Sequence, residues 1–148
     1  MKVLILGSGY VGNHLFNAMK RYHDIEQVNQ RMVDYTFTEA YKGSRDFRSY
    51  LIDKRFDVAV NCSGYTGKPN VDACEDDKAT CWKYNVTAPP KTAEMLNRFN
   101  IPMIHVSSGC IYQKPREWDE TTEPNFGLYN RDSSFYSMSK HAGELALE

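Results

Sequence analysis

Val3-Leu4-Ile5-Leu6-Gly7-Ser8-Gly9-Tyr10-Val11-Gly12 is the stretch whose reading decides the fold. Four consecutive apolar residues make a strand buried on both faces, the kind found in parallel sheets. A G-x-G-x-x-G run follows at once, and from Val11 the apolar positions Val11, Leu15, Ala18, Met19 and Tyr22 recur near one helical face. A glycine run between a strand and a helix has a physical job. Gly7 permits the tight turn, Gly9 lets the backbone approach a pyrophosphate, and Gly12 allows close packing of helix on strand. The helix N-terminus then offers free N–H groups and a favourable dipole to phosphate oxygens. Gly7, Gly9, Tyr10, Val11 and Gly12 are therefore candidate contacts to a dinucleotide; a glycine turn in a domain that binds no nucleotide is the plainer alternative.

Working outward, strands alternate with helices. A second strand is placed between Ile25 and Gln30, and Met32–Phe37 is a third short strand or a loop. Ser44 is placed to cap a helix over 45–54, followed by a buried strand over Asp57–Cys62. Glu75 to Phe99 reads as helical with a disturbance at Pro89-Pro90, the acids Glu75-Asp76-Asp77 favouring its start. Pro102–Ser107 is another buried strand. Residues 113–133, with Pro115, Pro124 and Gly127, form a long loop, and Ser133 or Ser134 caps a last helix running to Glu148. Such alternation implies parallel pairing with right-handed crossovers, a Rossmann-like doubly wound α/β sheet over residues 1–148, with its ligand site at the carboxyl ends of the strands.

Composition excludes several classes. The 148 residues suffice for one domain with a core, and a formal charge of −1 implies no nucleic-acid partner. No apolar run approaches the ~20 residues of a membrane span. Cys62, Cys74, Cys81 and Cys110 lack C-x-x-C spacing, so no metal site is expected and a reducing, cytoplasmic setting is. His14, His23 and His141 show no partner spacing, and His105 sits in a buried strand.

The cofactor type turns on the end of the second strand. An acid there holds ribose hydroxyls, whereas an arginine suits a 2′-phosphate. Val28-Asn29-Gln30-Arg31 has no acid and ends in Arg31, which favours NADP(H) over NAD(H); a solvated surface charge is the alternative. Further on, Tyr136 and Lys140 lie one helical turn apart in Tyr136-Ser137-Met138-Ser139-Lys140, after Ser107-Ser108-Gly109-Cys110-Ile111-Tyr112. Reducing a ketone by hydride transfer requires a proton on its oxygen. A tyrosine gives one if its pKa of ~10 is lowered by an ammonium nearby, the role expected of Lys140. Ser108, at a strand end, is placed to orient the substrate oxygen. A buried Tyr with a solvated Lys on an amphipathic helix is the structural alternative.

Together these segments resemble an extended short-chain dehydrogenase/reductase of the nucleotide-sugar branch, over almost the whole length from Lys2 to Glu148. Asn61-Cys62-Ser63-Gly64 resembles that family's loop beside the adenine, and Asn85-Val86 its helix asparagine, which implies cofactor contacts at Cys62, Ser63, Gly64 and Asn85 besides Tyr136 and Lys140. Gly64-Tyr65-Thr66-Gly67-Lys68-Pro69-Asn70-Val71-Asp72-Ala73-Cys74-Glu75, Gly109–Tyr112 and Pro124-Asn125-Phe126 resemble the plant-type UDP-4-keto-6-deoxyglucose 3,5-epimerase/4-reductases. Ser108 to Lys114 is also similar to GDP-fucose synthase, and dTDP-4-keto-rhamnose reductase is a close cousin. The resemblance implies 3,5-epimerisation and 4-reduction of a UDP-, dTDP- or GDP-linked 4-keto-6-deoxy hexose, with Cys110 as an epimerase acid/base group. Sugar 4,6-dehydratases carry an acidic pair where Gly109 and Cys110 stand here. Thr66, Asn70, Ser108 and Cys110 are candidate substrate contacts, although Asn70 and Asp72 also suit loop capping, and a small buried hydrophobe is the alternative for Cys110.

Family members continue for roughly as many residues again beyond the catalytic helix. The resemblance thus implies a chain lacking the C-terminal substrate lobe, and a homodimer or a complementing C-terminal half as partner. A non-catalytic NADP(H)-binding regulatory or truncated module is the alternative function.

Overall fold

The computed structural model describes residues 1–37, 42–113, 117–119 and 121–148. Lys114 and Pro115, named above, lie outside the described residues. The chain divides into two compact units: a sheet unit of residues 1–63 and 88–106, and a helical unit of residues 64–87 and 107–148.

The sheet unit is built on a four-stranded parallel sheet in the order β2-β1-β5-β6, with β1 Lys2–Leu6, β2 Asp24–Val28, β5 Val58–Asn61 and β6 Met103–His105. Val3, Leu4, Ile5 and Leu6 are fully buried, as expected of a central strand covered on both faces. Each such side chain contributes roughly 1.5–3 kcal/mol over its exposed state. On one face they join Val28, Phe47, Leu51, Ala59 and Leu96, and on the other Val60, Leu15, Phe16 and Met19. The register sets Leu6 opposite both Val28 and Asn61, so the carboxyl ends of three strands finish level.

Helix α1 spans Tyr10–Met19. Its packing face is Leu15, Phe16 and Met19 with buried Gly12, whereas Val11, Ala18 and Tyr22 are exposed. That corrects the expected face by about one residue: the close approach at Gly12 rotates the helix so that Val11 points to solvent. The second strand also stops earlier than expected, at Val28, because the Asn29 side chain accepts the N–H groups of Arg31 and Met32 and turns the chain. Two-residue strands β3 Val33–Asp34 and β4 Arg45–Asp46 pair in parallel beside it. Helix α2 is Phe47–Leu51, capped by Asp46, whose carboxylate accepts the Ser49 N–H at 2.8 Å. Ser44 is not the cap, because the chain is still extended through β4 at the next two residues.

The helical unit opens with a 3₁₀ turn at Val71–Cys74, then α3 Lys78–Trp82, capped by Asp77, and a π-helical turn at Lys83–Thr87. Helix α4, Ala88–Asn97, follows in the sheet unit. The disturbance expected at the proline pair therefore falls one turn earlier. Pro89 and Pro90 have no N–H to give to the carbonyls of Asn85 and Val86, so the turn before them widens. Helix α5, Phe135–Leu145, is capped by Ser134, whose Oγ accepts the Ser137 N–H at 3.2 Å.

Candidate active site

In the sheet unit, the loop after β1 is shaped by three contacts. Gly7 has φ +109° and donates its N–H to the Val28 carbonyl at 2.8 Å. A Cβ on Gly12 would lie 2.2 Å from the Gly7 oxygen, so no other residue fits there without moving the helix. Gln27 Nε2 donates to the same Gly7 oxygen at 3.0 Å and to Asn13 Oδ1 at 3.1 Å. Gly9 differs: a Cβ there meets nothing within 4 Å. Packing does not demand glycine at Gly9, and no side chain caps the first turn of α1. Tyr10 and Val11 are exposed beside it. Arg31 is exposed on the turn after β2. At the end of β5, the Ser63 N–H and hydroxyl both donate to Asn61 Oδ1, and burial pushes the nearby Tyr35 phenol well above its usual pKa. Cys62 is half-buried, and burial raises its thiol pKa.

In the helical unit, Ser108, Tyr136 and Lys140 come together. The Ser108 backbone is extended and its Oγ accepts the Cys110 N–H at 3.2 Å, which starts a 3₁₀ turn at Gly109–Ile111 and leaves the Cys110 thiol exposed. The same serine lies near enough to the Tyr136 phenol to pull its pKa down. Tyr136 and Lys140 are 9% and 5% exposed, one turn apart on α5. Burial is the largest influence on each. It raises the Tyr136 pKa, with Ser108 opposing and the thiols of Cys110, Cys74 and Cys81 adding to the rise. It lowers that of Lys140, with Glu144 and Cys81 opposing. The expected lowering of Tyr136 by Lys140 is therefore corrected: desolvation of a 9%-exposed phenol wins, and the protonated donor form is favoured.

The remaining candidates in this unit are placed as follows. Gly64 lies against Asn85 Oδ1 and near Lys140, since a Cβ on it would sit 3.1 Å from the first and 3.9 Å from Lys140 Nζ. Asn85 is 1% exposed; its Oδ1 accepts the Tyr65 N–H at 2.7 Å and its Nδ2 donates to the Tyr65 carbonyl at 2.9 Å. Thr66 is exposed, and Asn70 Oδ1 accepts the Asp72 N–H at 3.0 Å as the cap of its 3₁₀ turn. Asn125 grips the segment after Cys110, accepting the Gln113 N–H at 2.8 Å and donating to the Gln113 carbonyl at 3.0 Å. His141 Nδ1 accepts the Leu128 N–H at 3.3 Å and is structural. Among the described residues no cluster of His, Cys, Asp and Glu could hold a metal, and no helix is long and apolar enough to cross a membrane. Sequence reasoning missed Ser139 and Cys81, which meet at 3.2 Å across 58 positions of chain; only the position of Ser139 beside Lys140 could have flagged it.

Sheet order and glycine loop define a Rossmann-like α/β fold. Within that class the chain belongs to the family described as the RmlD substrate binding domain, which matches residues 1–148. It is 27% identical to a dTDP-4-dehydrorhamnose reductase of Mycobacterium tuberculosis, over 99% of this chain and 45% of that protein. A trifunctional UDP-glucose 4,6-dehydratase/UDP-4-keto-6-deoxy-D-glucose 3,5-epimerase/UDP-4-keto-L-rhamnose-reductase of Arabidopsis thaliana is 30% identical over 67% of this chain and 16% of its own length. The solved structure of a Bacillus anthracis dTDP-4-dehydrorhamnose reductase in complex with NADP superposes with a TM-score of 0.72 at 18% identity, covering 99% of this chain and 48% of that one. The chain thus spans less than half the length of these relatives.

Proposed function

We propose that this chain carries the cofactor-binding and proton-donating residues of an NADP(H)-dependent reductase that acts on a nucleotide-linked 4-keto-6-deoxy hexose. The observation that carries the proposal is the buried Tyr136 with buried Lys140 one helical turn further on and Ser108 beside the phenol, in a chain that opens with a glycine loop. In such a reaction a bound nicotinamide supplies hydride to the sugar C4. The chain's own residues do the rest. Ser108, beside the Tyr136 phenol, orients the ketone oxygen. Tyr136, kept neutral by burial, gives its proton to that oxygen as charge develops there. Lys140 then faces a phenolate one turn away, and its ammonium stabilises that anion until the proton is replaced.

The glycine loop and the open first turn of α1 suit a pyrophosphate, Cys62 and Ser63 the adenine side, and Arg31, with no acid on the turn after β2, a 2′-phosphate. NADP in the Bacillus anthracis relative supports the same cofactor type. Cys110 is an exposed thiol two residues beyond Ser108, where an acid/base group for 3,5-epimerisation would stand. UDP, dTDP and GDP are the candidate nucleotides; Thr66 and Asn70 are candidate sugar contacts. A reducing, cytoplasmic setting suits the four free thiols. A homodimer is the candidate assembly.

Turnover of a 4-keto sugar by the purified chain tests the reading. NADPH oxidation that Tyr136→Phe abolishes supports the reductase; equal rates in parent and variant refute the role of Tyr136.

A further inference from the structure

The helical unit contains a buried polar cluster that the chemistry above does not use. Asn85, Ser139 and Cys81 are each 1% exposed or less. Proton accounting fixes its direction. The Ser139 hydroxyl donates to the Tyr136 carbonyl at 2.7 Å, so it must accept from its other neighbours. Asn85 Nδ2 donates to it at 3.0 Å, and the Cys81 thiol lies on the same oxygen at 3.2 Å. Cys74 packs with Cys81 in one buried cluster, and burial pushes its thiol up to about 12. Asn85 meanwhile grips both backbone groups of Tyr65. The π turn makes this reach available: Asn85 sits in its middle, with its own carbonyl released by Pro89. Gly143 admits that carbonyl, for a Cβ there would lie 2.2 Å from the Asn85 oxygen.

We propose that Ser139 is a positioning residue for the Tyr136–Lys140 pair, coupling the first turn of α5 through Asn85 to the Gly64–Tyr65 backbone that walls the Lys140 ammonium. The proposal rests on the reading of Tyr136 and Lys140 as the reacting pair. The hydroxyl does two things at once. It holds the Tyr136 carbonyl from within the helix, and it holds the carboxamide that keeps Gly64 close to Lys140 Nζ. Without it the Gly64–Tyr65 backbone is tied to α5 less firmly and water reaches the ammonium. Buried polar networks of this kind specify one geometry only while every member is satisfied.

The test needs no turnover. Trace acylation of Lys140 by acetic anhydride, read by peptide mass spectrometry from about pH 7 to 11, gives the midpoint of its titration. Burial lowers that midpoint in the parent. Ser139→Ala is expected to raise it by about one pH unit as the ammonium rehydrates, and Ser139→Thr, which keeps the hydroxyl, to restore it. In a full-length reductase context, kcat is expected to fall about tenfold in Ser139→Ala with KM for NADPH unchanged. If Ser139→Ala does not fold, Ser139→Cys, which keeps the shape of the side chain but replaces the hydroxyl with a weakly hydrogen-bonding thiol, carries the same test. An unchanged midpoint, or a rise that threonine does not reverse, overturns the proposal. A parent with no turnover counts against the functional reading alone and leaves the titration to decide this one.

Discussion

Two glycines three residues apart are expected to answer the same substitution in opposite ways. A methyl added at Gly12 would lie 2.2 Å from the Gly7 oxygen and 3.1 Å from the Gly7 carbonyl carbon. Ordinary carbon–oxygen contact is about 3.3 Å or more, so α1 must shift by roughly 1 Å. That separates Leu15, Phe16 and Met19 from Val3, Ile5 and Val60. Overpacking of this kind costs about 1–3 kcal/mol, which lowers Tm by roughly 3–10 °C in a chain of this size. A methyl at Gly9 meets nothing within 4 Å, and its φ of −76° is one alanine adopts freely. Gly9→Ala should cost stability no more than the ~1 kcal/mol of a poorer N-cap, yet weaken NADPH binding about tenfold or more by crowding the pyrophosphate. Thermal melts and calorimetric titrations of both variants give the readout. A Gly12→Ala chain that melts with the parent would refute the packing argument, and a Gly9→Ala chain that binds NADPH as tightly would remove the phosphates from that loop.

Other outcomes are expected of the same structure. Tyr136→Phe should abolish NADPH oxidation, by 10²-fold or more for the loss of a proton donor, while the dissociation constant for NADPH stays within a few fold. Cys110→Ser should slow exchange of the sugar C3 and C5 protons into deuterated water while reduction of an already epimerised ketone survives; equal exchange would remove Cys110 from that chemistry. Glu26 is held at a pKa of about 2 against an ordinary 4.5: burial raises it, but hydrogen bonds from Lys54, Tyr50 and Lys2 outweigh burial. A lowered carboxylate stabilises the fold above its unfolded pKa and loses that contribution as pH falls from about 4.5 to about 2. Partial exposure discounts it to about 1–2 kcal/mol, so Glu26→Gln should flatten the acid limb of a pH–stability curve in that window, and an unchanged limb would contradict it.

The fold was legible where local chemistry dictates it. Val3–Leu6 had to be a covered strand, and the glycine run had to be a turn into a helix, because nothing polar interrupts the first and no side chain suits the second. The Tyr136–Lys140 spacing was equally readable and the cap was narrowed to Ser133 or Ser134, since capping and one helical turn are local properties. What stayed hidden depends on distance. Two-residue strands β3 and β4 are too short for any periodicity, and Val33 meets Arg45 only through the pairing itself. Pro89-Pro90 announced a break, but its form, a π turn that turns Asn85 inward, depends on the packing of α5 through Gly143. The contact of Cys81 with Ser139 spans 58 positions. The sign of the Tyr136 shift was missed for the same reason: helix spacing shows the lysine one turn away, whereas burial is made by Cys74, Cys81 and Phe135, and outweighs it.

Calorimetric titration of the purified 148-residue chain with NADPH, and separately with NADH, tests the central claim most directly. Saturable binding of both cofactors with NADPH the tighter is the expected result, since the proposal assigns the glycine loop to the pyrophosphate of either and Arg31 to the 2′-phosphate alone. No heat of binding for either cofactor at millimolar concentration would contradict it and leave Ser108, Tyr136 and Lys140 without a hydride donor to serve.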